Sequence, residues 1–296
     1  MQLSRKAMAT SPSSTLSIDA KAKKMKADGI DVIGFGAGEP DFDTPAHIKE
    51  AAIRAINEGF TKYTPASGML ELREAVCRKF KKDNGLIYKP SEIVISNGAK
   101  HSLMNAFTAI CNPGDEVIIP APYWVSYVEM LKLADGVPVI LDTTEAKGFK
   151  FSIDELASAI TPRTKALVLN SPSNPTGMVY QEDELKAIAE LAVKHSIFII
   201  SDEIYEEQIY DGWKHTSIAS FNGEIKDLTI VVNGVSKTYA MTGWRIGYTA
   251  SNARIAAIMG NVQSHATSNP NSIAQKAAIA ALEGPREEID MMKQEF

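Results

Sequence analysis

Hydrophobic and polar positions follow two different periods along most of the chain. Short apolar runs, typical of buried strands, alternate with longer segments in which apolar residues recur at helical spacing. The strand-like runs are EIVIS, DEVIIP, KALVLN, FIIS and LTIVVN, and the helical segments include 46–59, 67–85 and 183–195. This alternation predicts an α/β fold in three layers, with a mostly parallel central sheet between two layers of helices.

The first 45 residues follow a different pattern. A segment rich in serine and threonine leads into a helix that should end at Asp28 and Gly29. The stretch DVIGFGAGEPDFDTP, residues 31–45, is then expected to begin as a short strand and to break into a loop of Gly, Pro and Asp residues.

Polar residues follow several of the predicted strands directly. Gly98, Asn174, Asp202 and Lys237 each come just after such an apolar run. In open α/β sheets, ligands bind beyond the carboxyl ends of the strands. The sequence therefore predicts that these four positions converge on one crevice.

Composition and charge narrow the range of partners. The chain has 296 residues, of which 45% are hydrophobic, and a formal net charge of −5, so nucleic acid is not an expected partner. No apolar run approaches the roughly 18 residues that a membrane span needs, and the start lacks an apolar signal core, so no membrane partner is expected. Cys77 and Cys111 are isolated, which favours reduced thiols and a cytoplasmic location.

The stretch NGVSKTYAMTGWRIGY contains one lysine, Lys237, among small, hydroxyl and apolar residues. Its amine could bind an aldehyde cofactor covalently, because cationic neighbours and burial would favour the neutral, nucleophilic form. Asp202 could pair with a protonated pyridine nitrogen, and Tyr205 and Asn174 could contact a ring hydroxyl.

The same stretch and an earlier turn could bind a phosphate. Arg245 can contact two phosphate oxygens at once, together with the hydroxyl of Ser236. The turn SNGAK precedes a predicted helix, so the N–H groups of Gly98, Ala99 and Lys100 would face an anion at its positive end.

Each of these residues also has a purely structural interpretation. Asp202 alone is more often a helix N-cap, Asn174 alone a turn residue, and Gly98 alone a means of bending the chain tightly. Trp124 could belong to the core or stack on a flat ring, and Lys237 could extend from a strand end into solvent. Their conjunction favours the functional interpretation.

Seven strings together resemble a known family. AGEPDFDTP, KYTPASGMLELREA, SNGAK, PYWVSY, NSPSNPTG, SDEIYE and SKTYAMTGWRIGY occur in this order between about residues 14 and 270. The chain resembles fold type I pyridoxal-phosphate enzymes, specifically the bacterial aspartate aminotransferase subgroup of the class I aminotransferases. The fold that this implies is the large domain of the pyridoxal-phosphate-dependent transferases.

The resemblance implies roles around pyridoxal 5'-phosphate. Lys237 resembles the Schiff-base lysine, Asp202 the partner of the pyridine nitrogen, Tyr205 with Asn174 the pair on the ring hydroxyl, and Trp124 the stacking residue. The implied phosphate site consists of Gly98, Ala99, Lys100, Ser236 and Arg245, with Tyr63 contributed to the neighbouring subunit of a homodimer.

The implied substrates are an amino acid, with aspartate or glutamate favoured, and a 2-oxo acid. Gly38 resembles a substrate-contacting backbone position, and Ser14 and Thr15 match a segment that closes over the substrate. Trp124 and Asn174 would also face the substrate, and Lys100 would meet its side-chain carboxylate.

The resemblance also implies a domain organisation. Residues 1–45 would form an arm and part of a small domain, residues 46–285 the cofactor-binding large domain, and residues 286–296 the start of a helix that leads to the rest of the small domain. Family members carry there the arginine that binds the substrate α-carboxylate. The expectation is therefore a truncated or partial form of an aminotransferase.

Two alternatives keep the cofactor. One is a lyase, or an aromatic or prephenate aminotransferase, on the same scaffold. The other is a non-catalytic pyridoxal-phosphate-binding module of the kind that is fused to a DNA-binding domain. No helix-turn-helix pattern or basic extension precedes Ser14, which argues against the second alternative.

Overall fold

A computed structural model describes residues 2–36 and 38–296 of the chain. Helices and strands alternate over most of its length. The elements are α1 (Arg5–Met8), α2 (Ser14–Ala27), α3 (Ala46–Asn57), α4 (Leu70–Asn84), β1 (Ile93–Ser96), α5 (Ala99–Ile110), β2 (Glu116–Ala121), α6 (Ser126–Leu133), β3 (Val137–Asp142), α7 (Ile153–Ala159), β4 (Thr164–Asn170), α8 (Glu182–His195), β5 (Phe198–Asp202), α9 (Gly223–Leu228), β6 (Thr229–Gly234), β7 (Gly247–Ala250), α10 (Ala253–Ala266), α11 (Ser272–Glu283) and α12 (Glu287–Glu295).

The strands form one sheet in the order β1-β7-β6-β5-β4-β2-β3. Neighbouring strands from β6 through β5, β4 and β2 to β3 run parallel, whereas β7 is antiparallel to both β1 and β6. The predicted α/β fold with a mostly parallel sheet is confirmed. The short strands β3 and β7 were not predicted.

Alternate residues of each strand enter different cores, as the two-residue period of a strand requires. In β4, Ala166 and Val168 pack with α5, α6 and α10, whereas Leu167 and Leu169 face α7 and α8. At the β1 end of the sheet, Ile95 joins a third cluster with α3, α4, α11 and α12. The sheet is therefore covered by helices on both faces, which gives the three layers that the sequence predicts.

The segment after α2 differs from its prediction. Helix α2 ends at Ala27 with Asp28 as its C-cap, as expected. The strand predicted at the start of 31–45 is wrong, because none of the described residues of this segment is in a strand. Near its start, Ile33 and Phe35 are exposed by 75% and 93%. An apolar run forms a strand only where a neighbouring strand can pair with it.

Both cysteines are free and half-buried. Burial raises the pKa of Cys77 to about 11 and that of Cys111 to about 12. Both side chains therefore stay protonated thiols at neutral pH.

None of the described helices combines the length and the apolarity that crossing a membrane would require.

Strand β7 begins in close contact with the N-terminus of α5. A Cβ atom added to Gly247, the first residue of β7, would overlap backbone atoms of both Gly98 and Ala99. Backbone atoms in a packed sheet cannot move aside as the end of a flexible side chain can. Glycine at 247 therefore permits the approach that brings the loop after β6 against α5.

We expect Gly247→Ala to destabilise the chain by about 1–3 kcal/mol, because the added methyl group overpacks this junction. Urea unfolding followed by circular dichroism measures the change. Gly223→Ala, at the first position of α9, is the control, since a Cβ there meets no atom within 4 Å. Equal unfolding midpoints for Gly247→Ala and the unsubstituted chain would contradict the close contact.

Candidate active site

The carboxyl ends of β1, β4, β5 and β6 meet at one edge of the sheet, and most of the predicted residues lie there. Gly98 follows β1, Asp202 is the last residue of β5, and Lys237 follows β6. Asn174 lies in the loop after β4, and Trp124 in the loop between β2 and α6. These predicted residues lie at the same edge because the parallel strands that precede them end on the same side of the sheet.

Arg245 lies against the N-terminus of α5. Gly98, the N-cap of α5, has φ +84°, and an added Cβ there would overlap the Arg245 guanidinium. The guanidinium donates through Nη1 to the Thr242 carbonyl at 2.9 Å and through Nη2 to the Asn97 carbonyl at 3.4 Å. The N–H groups of Ala99 and Lys100, in the first turn of α5, have no partner within the helix. This corner of the edge therefore presents backbone donors and a guanidinium together.

Three cationic side chains share this corner. Among residues 2–36 and 38–296, neither Lys100, Lys237 nor Arg245 forms a salt bridge. Burial lowers the pKa of Lys100 and of Lys237, and the positive charge of Arg245 lowers both further. The edge of the sheet therefore has an excess of positive charge that an anion such as a phosphate would neutralise.

Lys237 is half-buried and approaches the loop of Gly38. Its Nζ donates to the Gly38 carbonyl oxygen and lies 5.7 Å from the centre of the Tyr205 ring. Burial is the largest influence on its pKa, which falls below the usual value, although Glu39 opposes the shift. A lowered pKa makes the neutral amine more available as a nucleophile or a base.

Asp202 is a buried carboxylate, 3% exposed, at the end of β5. Tyr127 donates its hydroxyl to Oδ2 at 2.6 Å, and the Ile204 N–H donates to Oδ1 at 3.3 Å. Burial raises its pKa to about 6, although both hydrogen bonds favour the charged form. No salt bridge joins Asp202 to a cation within the described part of the chain. A cationic ring nitrogen fits this unpaired acid.

Asn174 and Tyr205 are brought together, as predicted. The Asn174 amide donates through Nδ2 to the Tyr205 hydroxyl at 3.3 Å. Asn170 fixes the geometry, because its Oδ1 accepts from the Asn174 N–H at 2.7 Å and its Nδ2 donates to the Asp202 carbonyl at 2.9 Å. Burial raises the pKa of Tyr205 and the charge of Asp202 raises it further, so the phenol stays protonated as a hydrogen-bond donor.

Trp124 is half-buried beside Tyr127, the residue that donates to Asp202. Its ring meets the Tyr127 ring edge to face at 5.4 Å between centroids, and Lys100 Nζ lies 4.9 Å from the indole centroid. Sequence reasoning missed Tyr127 and Asn170. The available signal for Tyr127 was its place three residues after Trp124 in PYWVSY, where the chain turns into α6 and the Tyr127 N–H donates to the Trp124 carbonyl at 3.1 Å.

Three predicted residues have no contact with this edge among the described hydrogen bonds. Ser14 and Thr15 begin helix α2, where the Ser14 carbonyl accepts from Ser17. Tyr63 is 90% exposed, which suits a side chain that contacts another subunit but does not establish that role. Their functional assignments stay predictions. Ser236 is buried next to Lys237, on the strand-to-loop connection that Arg245 also belongs to.

Glu206, the residue after Tyr205, belongs to a buried ion pair. Lys79 of α4 and Glu206 form a salt bridge with side chains exposed by 5% and 7%. Glu206 also accepts from the side-chain amides of Asn84 and Asn233, both at 2.8 Å. Asn233 is on β6, so the pair links α4 to the strand that precedes Lys237. The oxygens of the buried carboxylate thereby obtain the partners that burial requires.

Because the pKa of Asp202 is raised in the folded chain, the free energy of unfolding should depend on pH. Its folded-state value of about 6 exceeds the ordinary 3.8, so the stability it contributes is present below about pH 4 and is lost as pH rises through 6. The loss is about 3 kcal/mol, since each pKa unit is worth about 1.4 kcal/mol. We therefore expect Asp202→Asn to gain stability relative to the unsubstituted chain between pH 4 and 7.

Unfolding free energies at pH 4, 5, 6 and 7, without added ligand, measure this difference. Asp142→Asn, at the exposed end of β3, is the matched control and should show no such trend. A difference for Asp202→Asn that stays constant with pH would mean that the buried carboxyl is not titrating in this range.

Known proteins resemble this chain over its whole length. The family described as "Aminotransferase class I and II" matches residues 30–296. The aspartate aminotransferase of Geobacillus stearothermophilus is 54% identical over 296 residues, which are 100% of this chain and 75% of that protein. The aspartate/prephenate aminotransferase of Nitrosomonas europaea is 52% identical over 285 residues, 96% of this chain and 72% of the relative.

A solved structure, that of the aspartate aminotransferase from Thermus thermophilus with maleate, superposes with a TM-score of 0.96 at 46% identity. The match covers 99% of this chain and 77% of that one. The agreement in sequence and in fold confirms the resemblance that the seven motifs indicate. The chain belongs to the family of class I and II aminotransferases.

Proposed function

We propose that the chain binds pyridoxal 5'-phosphate and transfers the amino group of a dicarboxylic amino acid, aspartate above all, to a 2-oxo acid. One observation carries the proposal: Lys100 and Arg245, which form no salt bridge among the described residues, and Asp202, a buried carboxylate without a cation there, share one edge of the sheet with Lys237. A ligand with a phosphate at one end and a protonated ring nitrogen at the other complements both.

The residues of the sheet edge would hold the cofactor as follows. The N–H groups of Ala99 and Lys100, with Gly98, Ser236 and Arg245, would bind the phosphate. Asp202 would pair with the ring nitrogen, Tyr205 and Asn174 would hydrogen-bond the ring hydroxyl, and Trp124 would cover one ring face. When bound, the cofactor supplies an aldehyde for covalent attachment of amines and a ring that withdraws electrons.

Lys237 is the residue that we propose as general base and acid. Its lowered pKa leaves a larger neutral fraction at neutral pH, and a neutral amine can take a proton from the substrate Cα and return it later. The buried Tyr127–Asp202 hydrogen bond holds the carboxylate in the position from which it would pair with the ring nitrogen. A charged partner there would lower the pKa of Asp202 again, so that it stays ionised at neutral pH.

Lys100 is the residue that we propose to select dicarboxylic substrates. Its ammonium group lies over the Trp124 ring and has no carboxylate partner among the described residues, so it can receive one from a substrate. Relatives are named aspartate and aspartate/prephenate aminotransferases, and one solved relative was crystallised with maleate, itself a dicarboxylate. Prephenate transamination is therefore the second candidate activity.

We further propose that residues 46–285 form the cofactor-binding domain, with 1–45 as its N-terminal arm and 286–296 as the start of a connection to a second domain. Helix α12 packs through Ile289 and Met292 against the large core. A homodimer would give the exposed Tyr63 a partner phosphate to contact. The dimer and a cytoplasmic location stay predictions.

Absorption spectroscopy tests the proposed function. The purified chain should develop the visible band of covalently bound pyridoxal phosphate, and L-aspartate without any oxo acid should convert the cofactor to its pyridoxamine form. Lys237→Ala should lack the covalent band and lose the cofactor on gel filtration, because only the non-covalent contacts remain. Lys194→Ala, an exposed lysine in the last turn of α8, is the control.

An unchanged band in Lys237→Ala would overturn the assignment of this lysine. A band that forms in the unsubstituted chain but does not respond to aspartate would overturn the proposal that this chain transfers amino groups, and would leave cofactor binding standing.

Lys100→Met tests substrate selection, because it removes the ammonium group and keeps an unbranched side chain one atom shorter. We expect the rate of cofactor conversion at low aspartate to fall about 10- to 100-fold, because a hydrogen bond to a charged group is worth about 1.5–3 kcal/mol. The rate with leucine, which has no side-chain carboxylate, should change much less. Stopped-flow absorption with both amino acids measures the two rates, and equal losses would mean that Lys100 serves the cofactor or the fold instead.

A further inference from the structure

The segment between Lys237 and β7 has an unusual backbone. Ala240 and Arg245 are both left-handed, with φ of +49° and +56°, and a single 3-10 turn, Thr242–Trp244, lies between them. Residues other than glycine avoid this region, and each such residue costs on the order of 1 kcal/mol or more. The surrounding structure must therefore hold the turn, which places Arg245 against Gly98.

The Thr44 hydroxyl contacts both ends of this turn. It donates to the Ala240 carbonyl at 2.6 Å and accepts from the Trp244 indole N–H at 2.9 Å. A threonine hydroxyl has one proton to donate and can accept at the same time, so one side chain satisfies both groups. Thr44 thus spans the turn from its first left-handed residue to the residue just before its second.

Thr44 is itself attached to a rigid part of the fold. It directly precedes Pro45, the N-cap of α3, and α3 packs through the fully buried Ile48 into the core that includes α11. Proline fixes its own φ, so the residues at the start of α3 have little freedom. The hydroxyl position is therefore determined by the core rather than by the loop.

A second contact ties the same turn to the loop that Lys237 touches. Thr242 donates its hydroxyl to a carboxylate oxygen of Glu39 at 2.8 Å, and the Thr242 carbonyl accepts from Arg245 Nη1 at 2.9 Å. Gly38, next to Glu39, accepts from Lys237 Nζ. Residues 38–44 therefore contact the Lys237 amine and the turn at 240–245 directly. They are linked to the Arg245 guanidinium through Thr242.

From this arrangement we infer that Thr44 is a positioning residue for Arg245: its hydroxyl holds the left-handed turn in the one form that aims the guanidinium at the anion site of α5. The inference rests on the proposed function for the identity of the physiological ligand, pyridoxal phosphate, and on the contacts of Thr44 for the effect on any phosphate. Without the hydroxyl, the turn relaxes and Arg245 no longer stays beside Gly98.

The test compares three variants with two probes. Thr44→Val replaces the hydroxyl by a methyl group of similar size, and Thr44→Ser keeps the hydroxyl. Thr229→Val is the matched control: Thr229 is buried at the start of β6, away from the site, and its hydroxyl also donates to a carbonyl, that of Ile225 at 2.7 Å. The probes are inorganic phosphate, followed by calorimetry, and pyridoxal phosphate, followed by absorption.

We expect Thr44→Val to weaken the binding of both probes about tenfold, because both hydrogen bonds of the Thr44 hydroxyl are lost and part of that loss falls on Arg245. Thr44→Ser should stay within about twofold of the unsubstituted chain, because serine keeps both bonds. Thr229→Val should lower the unfolding midpoint and leave both affinities unchanged.

Three results would overturn the inference. They are equal phosphate affinity in Thr44→Val and the unsubstituted chain, an equally large loss in Thr44→Ser, and an equally large loss in Thr229→Val. Failure of the proposed function has a different signature: no covalent pyridoxal-phosphate band in the unsubstituted chain, while inorganic phosphate still binds about tenfold more weakly to Thr44→Val. That result would support the positioning role of Thr44 for another phosphate ligand.

Discussion

The contact between the Arg245 guanidinium and the Cα of Gly98 determines the geometry of the whole candidate site. It exists because β7 runs antiparallel between β1 and β6, so the chain that leaves β6 must turn back beside the end of β1. That reversal carries Lys237 and Arg245, and the end of β1 carries the first turn of α5. The proposed attachment point after β6 and the proposed anion site after β1 therefore lie close together although β7 separates the two strands, and two glycines, Gly98 and Gly247, make their approach sterically possible.

The candidate site contains charged side chains that lack oppositely charged partners among the described residues, and the positive and negative groups lie at different places along the sheet edge. Positive groups without salt bridges collect at α5, and one buried acid lies on the β5 side. Both conditions oppose the stability of the chain alone, because a desolvated charge without a partner is unfavourable. Both become favourable when a ligand supplies an anion at one end and a cation at the other. The order of charges along the sheet edge would thus select the orientation of the proposed ligand as well as its chemistry.

Sequence reasoning could locate the site because polar residues that follow strands of a parallel sheet must meet at one edge. Gly98, Asp202 and Lys237 were found by that rule alone. Asn170 was missed because its role depends on which loops pack together, and Tyr127 was missed although its spacing from Trp124 offered a signal. The strand predicted after Asp31 was wrong for a related reason. An apolar run can form a strand, but whether a neighbouring strand is there to pair with it depends on the tertiary structure. The assignments of Ser14, Thr15 and Tyr63 depend on contacts beyond those of this edge.

The buried pair of Lys79 and Glu206 constrains how such a sequence can change over evolutionary time. Replacing either partner alone leaves a buried charge uncompensated, at a cost of about 3–5 kcal/mol, which is a large part of the stability of a typical domain. Replacing both by apolar residues of similar volume can be nearly neutral. The two residues are 127 positions apart in the chain, yet a substitution of one is tolerated only with a substitution of the other. Any route through a single substitution passes a poorly folded intermediate, so α4 and the loop after β5 are expected to vary as one unit.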